Sequence, residues 1–185
     1  MQRKMNSEWG PQALAAWKVE DASTQAWIDD VELFIPPMLF HQRMDITNRN
    51  KTVEFYQAGG HTSCSVYGYY PTEKILFAGD LIFSGQIPYA GDATCDPEQW
   101  IAILKTWLNW DINRVIPGHG PVTDIREIEK HLEFFERLKA ATLDTLKSGK
   151  SPQDIVIPTT YPFNEKARWI AERTQQRWYE YYRQG

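Results

Sequence analysis

Three residues of this chain, His61, Asp80 and His119, are of types that ligate divalent metals, and one of them has an unusual setting. His119 lies in Val-Ile-Pro-Gly-His-Gly-Pro-Val, residues 115–122, with a glycine on each side and a proline beyond each glycine. The glycines remove every Cβ that would crowd the imidazole, and the prolines fix the flanking backbone, so the ring stands on a stiff, bare loop. Two readings fit that pattern. Either the histidine is bared because it must reach a ligand, or the segment is a tight turn in which the histidine is incidental.

Topology decides whether His119 has company. Residues 52–57 (TVEFYQ), 63–70 (SCSVYGYY) and 74–79 (KILFAG) read as three consecutive strands rich in β-branched and aromatic residues. His61 precedes the second and Asp80 follows the third, so a hairpin turning at 70–74 sets these two side chains next to each other at one end. From Asp80 the chain runs through a loop and a helix into a short buried strand at 114–117 (RVIP), and a strand-helix-strand connection makes the flanking strands parallel. His119, just past that strand, then reaches the edge where open α/β sheets bind ligands. Two imidazoles and a carboxylate there suit zinc, iron or manganese. The alternative is three unrelated polar residues at strand ends.

The elements that must hold these residues are legible in outline. Asp96 reads as the N-cap of a helix with Pro97 at its first position, Gln99 completing a capping box, and Trp100, Ile103, Leu104, Trp107 and Leu108 forming an apolar stripe. Residues 124–150 read as a long amphipathic helix capped by Asp124 and Glu127, stopped near Gly149, with His131 on its polar side. A last helix over 164–182 carries Trp169, Ile170, Trp178 and Tyr181. The first fifty residues are weaker: helical pieces anchored by Trp17 and Trp27, then an extended turn at 34–39 (FIPPML). Strands followed by alternating helix and strand define the α/β or α+β class.

A chain of 185 residues, 42% hydrophobic and 14% aromatic, is long enough for one core, so a single domain over 1–185 is expected. The net charge of −4, without a block of like charges, argues against a nucleic-acid arm or a polybasic membrane patch, which leaves small-molecule or protein partners. No stretch has the apolar length of a membrane span, and the N-terminus lacks the apolar core of a secretory signal, so a cytoplasmic location is expected. Cys64 and Cys95 show neither metal nor redox spacing and read as packing residues.

At Gly-Gly-His-Thr (59–62), Lys-Ile-Leu-Phe-Ala-Gly-Asp-Leu-Ile-Phe (74–83) and the 115–122 loop, the sequence resembles the C-terminal part of the metallo-β-lactamase superfamily of metal-dependent hydrolases. The three motifs stand in family order, and the resemblance covers roughly residues 31 to 145. It implies an αββα sandwich in which His61 ligates a first metal, Asp80 bridges two metals at the catalytic centre, and His119 ligates the second. The metals would be zinc, with iron or manganese possible, and a metal-bound hydroxide would attack an ester, thioester, lactam or phosphodiester. Phe83, Ser84 and Tyr89, around the stretch Ile-Pro-Tyr-Ala-Gly-Asp, would belong to the substrate loop.

One departure matters. The family's His-x-His-x-Asp-His motif is absent: the chain has four histidines, no two of them one residue apart, and His41 does not fit it. The resemblance therefore implies an incomplete first sheet, with 1–50 weakly assigned, 51–122 bearing the motifs and 123–185 forming the C-terminal helices. Val53, Phe55, Val66, Tyr70, Ile75 and Phe77 would then face a missing packing partner. A homo-oligomer, or a complex with a chain that supplies the missing half, is expected. The competing reading is a non-catalytic binding or structural module descended from such a hydrolase. A one-metal enzyme is disfavoured, because in the family these residues serve two ions about 3.5–4 Å apart.

Overall fold

In the computed structural model the chain divides into two compact units, Met1–Phe40 and His41–Gly185. The structure describes Gln12, Ala15, residues 38–163 and residues 165–184. The helical pieces expected around Trp17 and Trp27, and most of the 34–39 turn, lie outside the described residues.

The larger unit is built on a five-stranded sheet in the order β1-β2-β3-β4-β5. Its strands are β1 Arg43–Asn48, β2 Lys51–Gln57, β3 Val66–Tyr70, β4 Ile75–Phe83 and β5 Arg114–His119. The first four pair antiparallel in sequence order, while β5 joins β4 in parallel. The expected β3–β4 hairpin is present, with Tyr70 opposite Ile75. β1 is an addition to the strands expected from sequence. Its six residues, RMDITN, alternate weakly and are mostly exposed, so pairing with β2 defines it more than any apolar pattern does.

Three helices follow: α1 Pro97–Trp107 in the β4–β5 crossover, α2 Ile125–Lys147 and α3 Arg168–Arg183. Asp96 caps α1 by accepting the Gln99 N–H. The capping box does not close, because the Gln99 side-chain amide donates to the Ala58 carbonyl instead. Asp124 caps α2 through the Arg126 N–H, and Glu127 turns away into the interior. Gly149, at φ +64°, ends the helix where expected.

One sheet face and the helices share the core. Tyr67, Leu76, Ala78 and Val115 pack with Trp100, Leu104 and Trp107 of α1, Phe134, Phe135 and Leu138 of α2, and Trp178 of α3. Gly68 lies directly opposite Phe77, and the rings and methyls of Phe55 and Val53 close over it, which places these residues on the other face. There Val66 and Phe77 remain 37% and 41% exposed, two of the six residues expected on an open apolar face, and Ile46 of β1, which the sequence did not single out, is 46% exposed beside them. Val53, Phe55, Tyr70 and Ile75 are half-buried. Cys95 is buried as expected, whereas Cys64 is exposed and packs no core.

Candidate metal centre

The parallel β4–β5 pairing carries His119 to the end of β4, where it stands opposite Phe83 in register. The register shifts between Gly79 and Phe83, and this irregularity turns Asp80 to the edge, with its side chain about half exposed. His61 comes from the turn before β3 and is largely buried. The three side chains meet as the strand topology requires. His119 Nε2 lies 3.4 Å from Asp80 Oδ1, and His61 Nε2 lies 3.7 Å from Asp80 Oδ2.

The glycines around His119 now have a cause. A Cβ at position 118 would strike the Asp80 carboxylate and come within 2.8 Å of the Asp80 backbone nitrogen. Gly120 has φ +87°, and a Cβ there would press on the Ser84 carbonyl. The loop is bare because β4 passes beneath it. The Ser84 N–H donates to the His119 carbonyl at 2.8 Å, so the same contact that excludes side chains fixes the loop.

Each imidazole is set by its surroundings. His61 Nδ1 lies 3.0 Å from the Tyr89 carbonyl, which can only accept, so Nδ1 carries the proton and Nε2 turns a lone pair toward Asp80. Burial pushes the His61 pKa down, against the opposing pull of Asp80, and so favours the neutral ring. Trp100 meets that ring edge-on at 5.4 Å. His119 lies flat on Phe83, with centroids 4.6 Å apart and planes 10° from parallel.

Phe83 is itself anchored from below. Its N–H donates to His131 Nε2 at 3.0 Å, His131 Nδ1 bonds the Tyr161 hydroxyl, and that hydroxyl donates to Glu127, which also accepts the Gly85 N–H. His131 is therefore fully buried, not on the polar side of the helix as its sequence context suggested. The signal was present: Ile128, His131, Phe135, Leu138 and Thr142 are spaced as one helical stripe, and all five are buried. His41 is exposed, as expected.

Above the trio opens a cleft of about 290 Å³ whose walls include Phe83, Tyr89, Gln86, Trp169 and Ile170. Two of the expected substrate-loop residues, Phe83 and Tyr89, line it. Ser84 does not; it is buried, and its backbone braces the His119 loop. From sequence, Trp169 and Ile170 read only as helix residues. Their place above the site follows from how α3 returns across the fold, which local periodicity does not encode.

Among the described residues, no three His, Cys, Asp or Glu side chains close around one point. The two imidazoles instead address different oxygens of Asp80.

The architecture and the order of these motifs are those of one family. Residues 5–119 match the model of the metallo-beta-lactamase superfamily, and the chain belongs to it. Its fold is similar to that of a metallo-beta-lactamase family protein from Thermus thermophilus, with a TM-score of 0.66 at 16% identity over 98% of this chain and 62% of that one. A metallo-beta-lactamase from Pontibacter korlensis is 26% identical, with a TM-score of 0.50 over 69% of this chain and 62% of that one. The 2,4-dinitroanisole O-demethylase subunit alpha of Nocardioides sp. (strain JS1661) is 28% identical over 94 residues, which is 51% of this chain and 28% of that protein. The chain thus spans less than two thirds of the length of each of these relatives. Among the described residues, no helix is long and apolar enough to cross a membrane.

Proposed function

We propose that this chain carries part of the centre of a metal-dependent hydrolase, with His61 and His119 each ligating one of two ions and Asp80 bridging them. The observation that carries this reading is the placement of the imidazoles on opposite oxygens of one carboxylate. Ligands bound to one tetrahedral zinc at roughly 2.0–2.2 Å stand about 3.3 Å from each other, close to the 3.4 Å between His119 and Asp80 and somewhat tighter than the 3.7 Å at His61. The donor set fits as well: both pairs combine a nitrogen and an oxygen donor, and the His61 tautomer leaves its ligating nitrogen free.

When bound, such ions act as Lewis acids and lower the pKa of water, which is the chemistry that hydrolysis needs at neutral pH. The chain's own residues do the positioning. Tyr89 holds the His61 ring through its carbonyl, Phe83 holds the His119 ring by stacking, and the half-exposed Asp80 carboxylate can accept a hydrogen bond from the attacking water. The aromatic walls receive the substrate beside it.

A catalytic zinc takes three protein ligands, and each ion would find two here, so the remaining donors come from outside the described residues. They are supplied in cis or by a companion chain. The relationship to a protein named as an enzyme subunit supports a complex, and the apolar residues Ile46, Val66 and Phe77 offer a surface for one.

Elemental analysis by mass spectrometry tests the assignment. The 185-residue chain is expected to hold less than one tight metal ion and to show little hydrolysis, and supplying a segment with the His-x-His-x-Asp-His motif should restore both. Asp80→Ala should abolish uptake, whereas the exposed His41→Ala should leave it unchanged. Equal effects of the two would overturn the assignment.

A further inference from the structure

We propose, building on the metallohydrolase reading, that the cleft selects a neutral aryl ester and disfavours substrates that carry phosphate or carboxylate beyond the reacting carbonyl. The first observation is Trp169. It is 56% exposed, whereas Ala171, Thr174 and Trp178 of the same helix are buried, so the core does not account for its position. Its ring stands 5.5 Å from that of Tyr89, and both line the cleft above the histidines. An exposed indole paired with a phenol at the rim of a pocket is a surface on which a flat ring can stack.

The second observation is the shape of the floor. Phe83 is buried, held flat against His119 by stacking and tied through its backbone N–H to His131, so the floor of the cleft is a fixed stack of the Phe83 and His119 rings. A dry cavity of about 150 Å³ accommodates a benzene ring. The cleft, at about 290 Å³, has room for one ring and the ester group attached to it.

The third observation is charge. Beyond the histidines and Asp80, the described lining residues offer the Gln86 amide, the Tyr89 hydroxyl and the Trp169 indole N–H as polar groups, all uncharged, and none of those residues is Lys or Arg. Further along α3, the Arg177 guanidinium is engaged, donating from Nε and an Nη to the Cys95 carbonyl, and Arg173, whose Cβ packs at Gly91 beside Tyr89, is not one of the cleft-lining residues. Recognition of phosphate or carboxylate ordinarily uses a guanidinium, an ammonium or clustered N–H donors. An amide such as Gln86 instead matches an uncharged carbonyl or ether oxygen.

The test uses the full chain, free of metal, and two ring-bearing probes: acetanilide, a neutral aryl amide that resists hydrolysis, and phenyl phosphate. Saturation-transfer NMR is expected to show saturable acetanilide binding and phenyl phosphate binding at least about tenfold weaker. Trp169→Ala should weaken acetanilide about tenfold, and Trp169→Phe should restore most of it. Because Trp169 is half exposed, both variants should fold, and their circular dichroism spectra should match that of the unmodified chain. Gln86→Arg should draw phenyl phosphate in. Unchanged acetanilide binding in Trp169→Ala, or equal binding of the two probes to the unmodified chain, overturns the proposal whatever the metal content. If the probes behave as expected while Asp80→Ala leaves metal uptake intact, the metallohydrolase reading fails and the aryl-binding cleft stands.

Discussion

Lowering the pH from 7 to 5 should destabilise this chain chiefly through one side chain, His131. Its ring is fully buried, accepts the Phe83 N–H at Nε2 and bonds Tyr161 through Nδ1. A proton added at Nε2 would face an N–H donor with no acceptor in reach. Burial pushes the pKa from 6.5 down to about 3. Since the folded value lies below the unfolded one, the unfolded chain takes up the proton first. The stability contributed by the neutral ring is complete above about pH 6.5 and is lost as the pH falls from there toward 3. Each pH unit in that window costs about 1.4 kcal/mol, so pH 5 costs about 2 kcal/mol. That is a sizeable part of the roughly 5–15 kcal/mol typical of a folded domain. Urea unfolding at pH 7, 6 and 5 should be compared with His131→Gln, whose amide oxygen can still accept the Phe83 N–H but takes no proton. The wild-type chain should lose about 2 kcal/mol more than the variant between pH 7 and 5. Parallel losses would refute the reasoning.

Three further outcomes are expected. Gly118→Ala must push Asp80 or the 115–122 loop aside, costing about 1–3 kcal/mol, and should reduce metal uptake measured on the completed enzyme; unchanged uptake would mean that the loop is free to move. Trp100→Phe leaves the buried Leu81 carbonyl without the indole N–H that now reaches it at 3.1 Å, so urea denaturation should show a loss of about 1–3 kcal/mol. Asp96→Ala removes both the α1 cap and the acceptor for the Tyr181 hydroxyl, and should cost about 1–2 kcal/mol in the same assay, more than the cap of an isolated helix.

Where the sequence was informative, local chemistry and connectivity rules acted together. The β3–β4 hairpin and the parallel β4–β5 crossover follow from strand propensity, a turn at 70–74 and the handedness of a strand-helix-strand unit, and they suffice to bring His61, Asp80 and His119 to one edge. Where it was silent, the deciding interaction spans the fold. β1 owes its strand conformation to pairing with β2, and Gln99 forsakes its helix cap for the Ala58 carbonyl. The case of His131 differs, because its helical stripe was readable and residue type misled. A histidine among apolar neighbours is buried when partners 30 and 48 residues away, Tyr161 and Phe83, satisfy both its nitrogens.

The Phe83 amide gives that arrangement a kinetic signature. In a sheet, a backbone N–H normally points to the neighbouring strand, and its hydrogen is exposed to solvent when the strands part. This one points to a ring nitrogen on α2. Its hydrogen can exchange only when the helix lifts from the sheet, so its exchange rate is a clock for helix departure. The Ser84 N–H, one residue on and bonded to the His119 carbonyl, times the opening of the β5 loop instead. Two adjacent amides thus report separately on the two layers that hold the centre together, without a label and without a substrate.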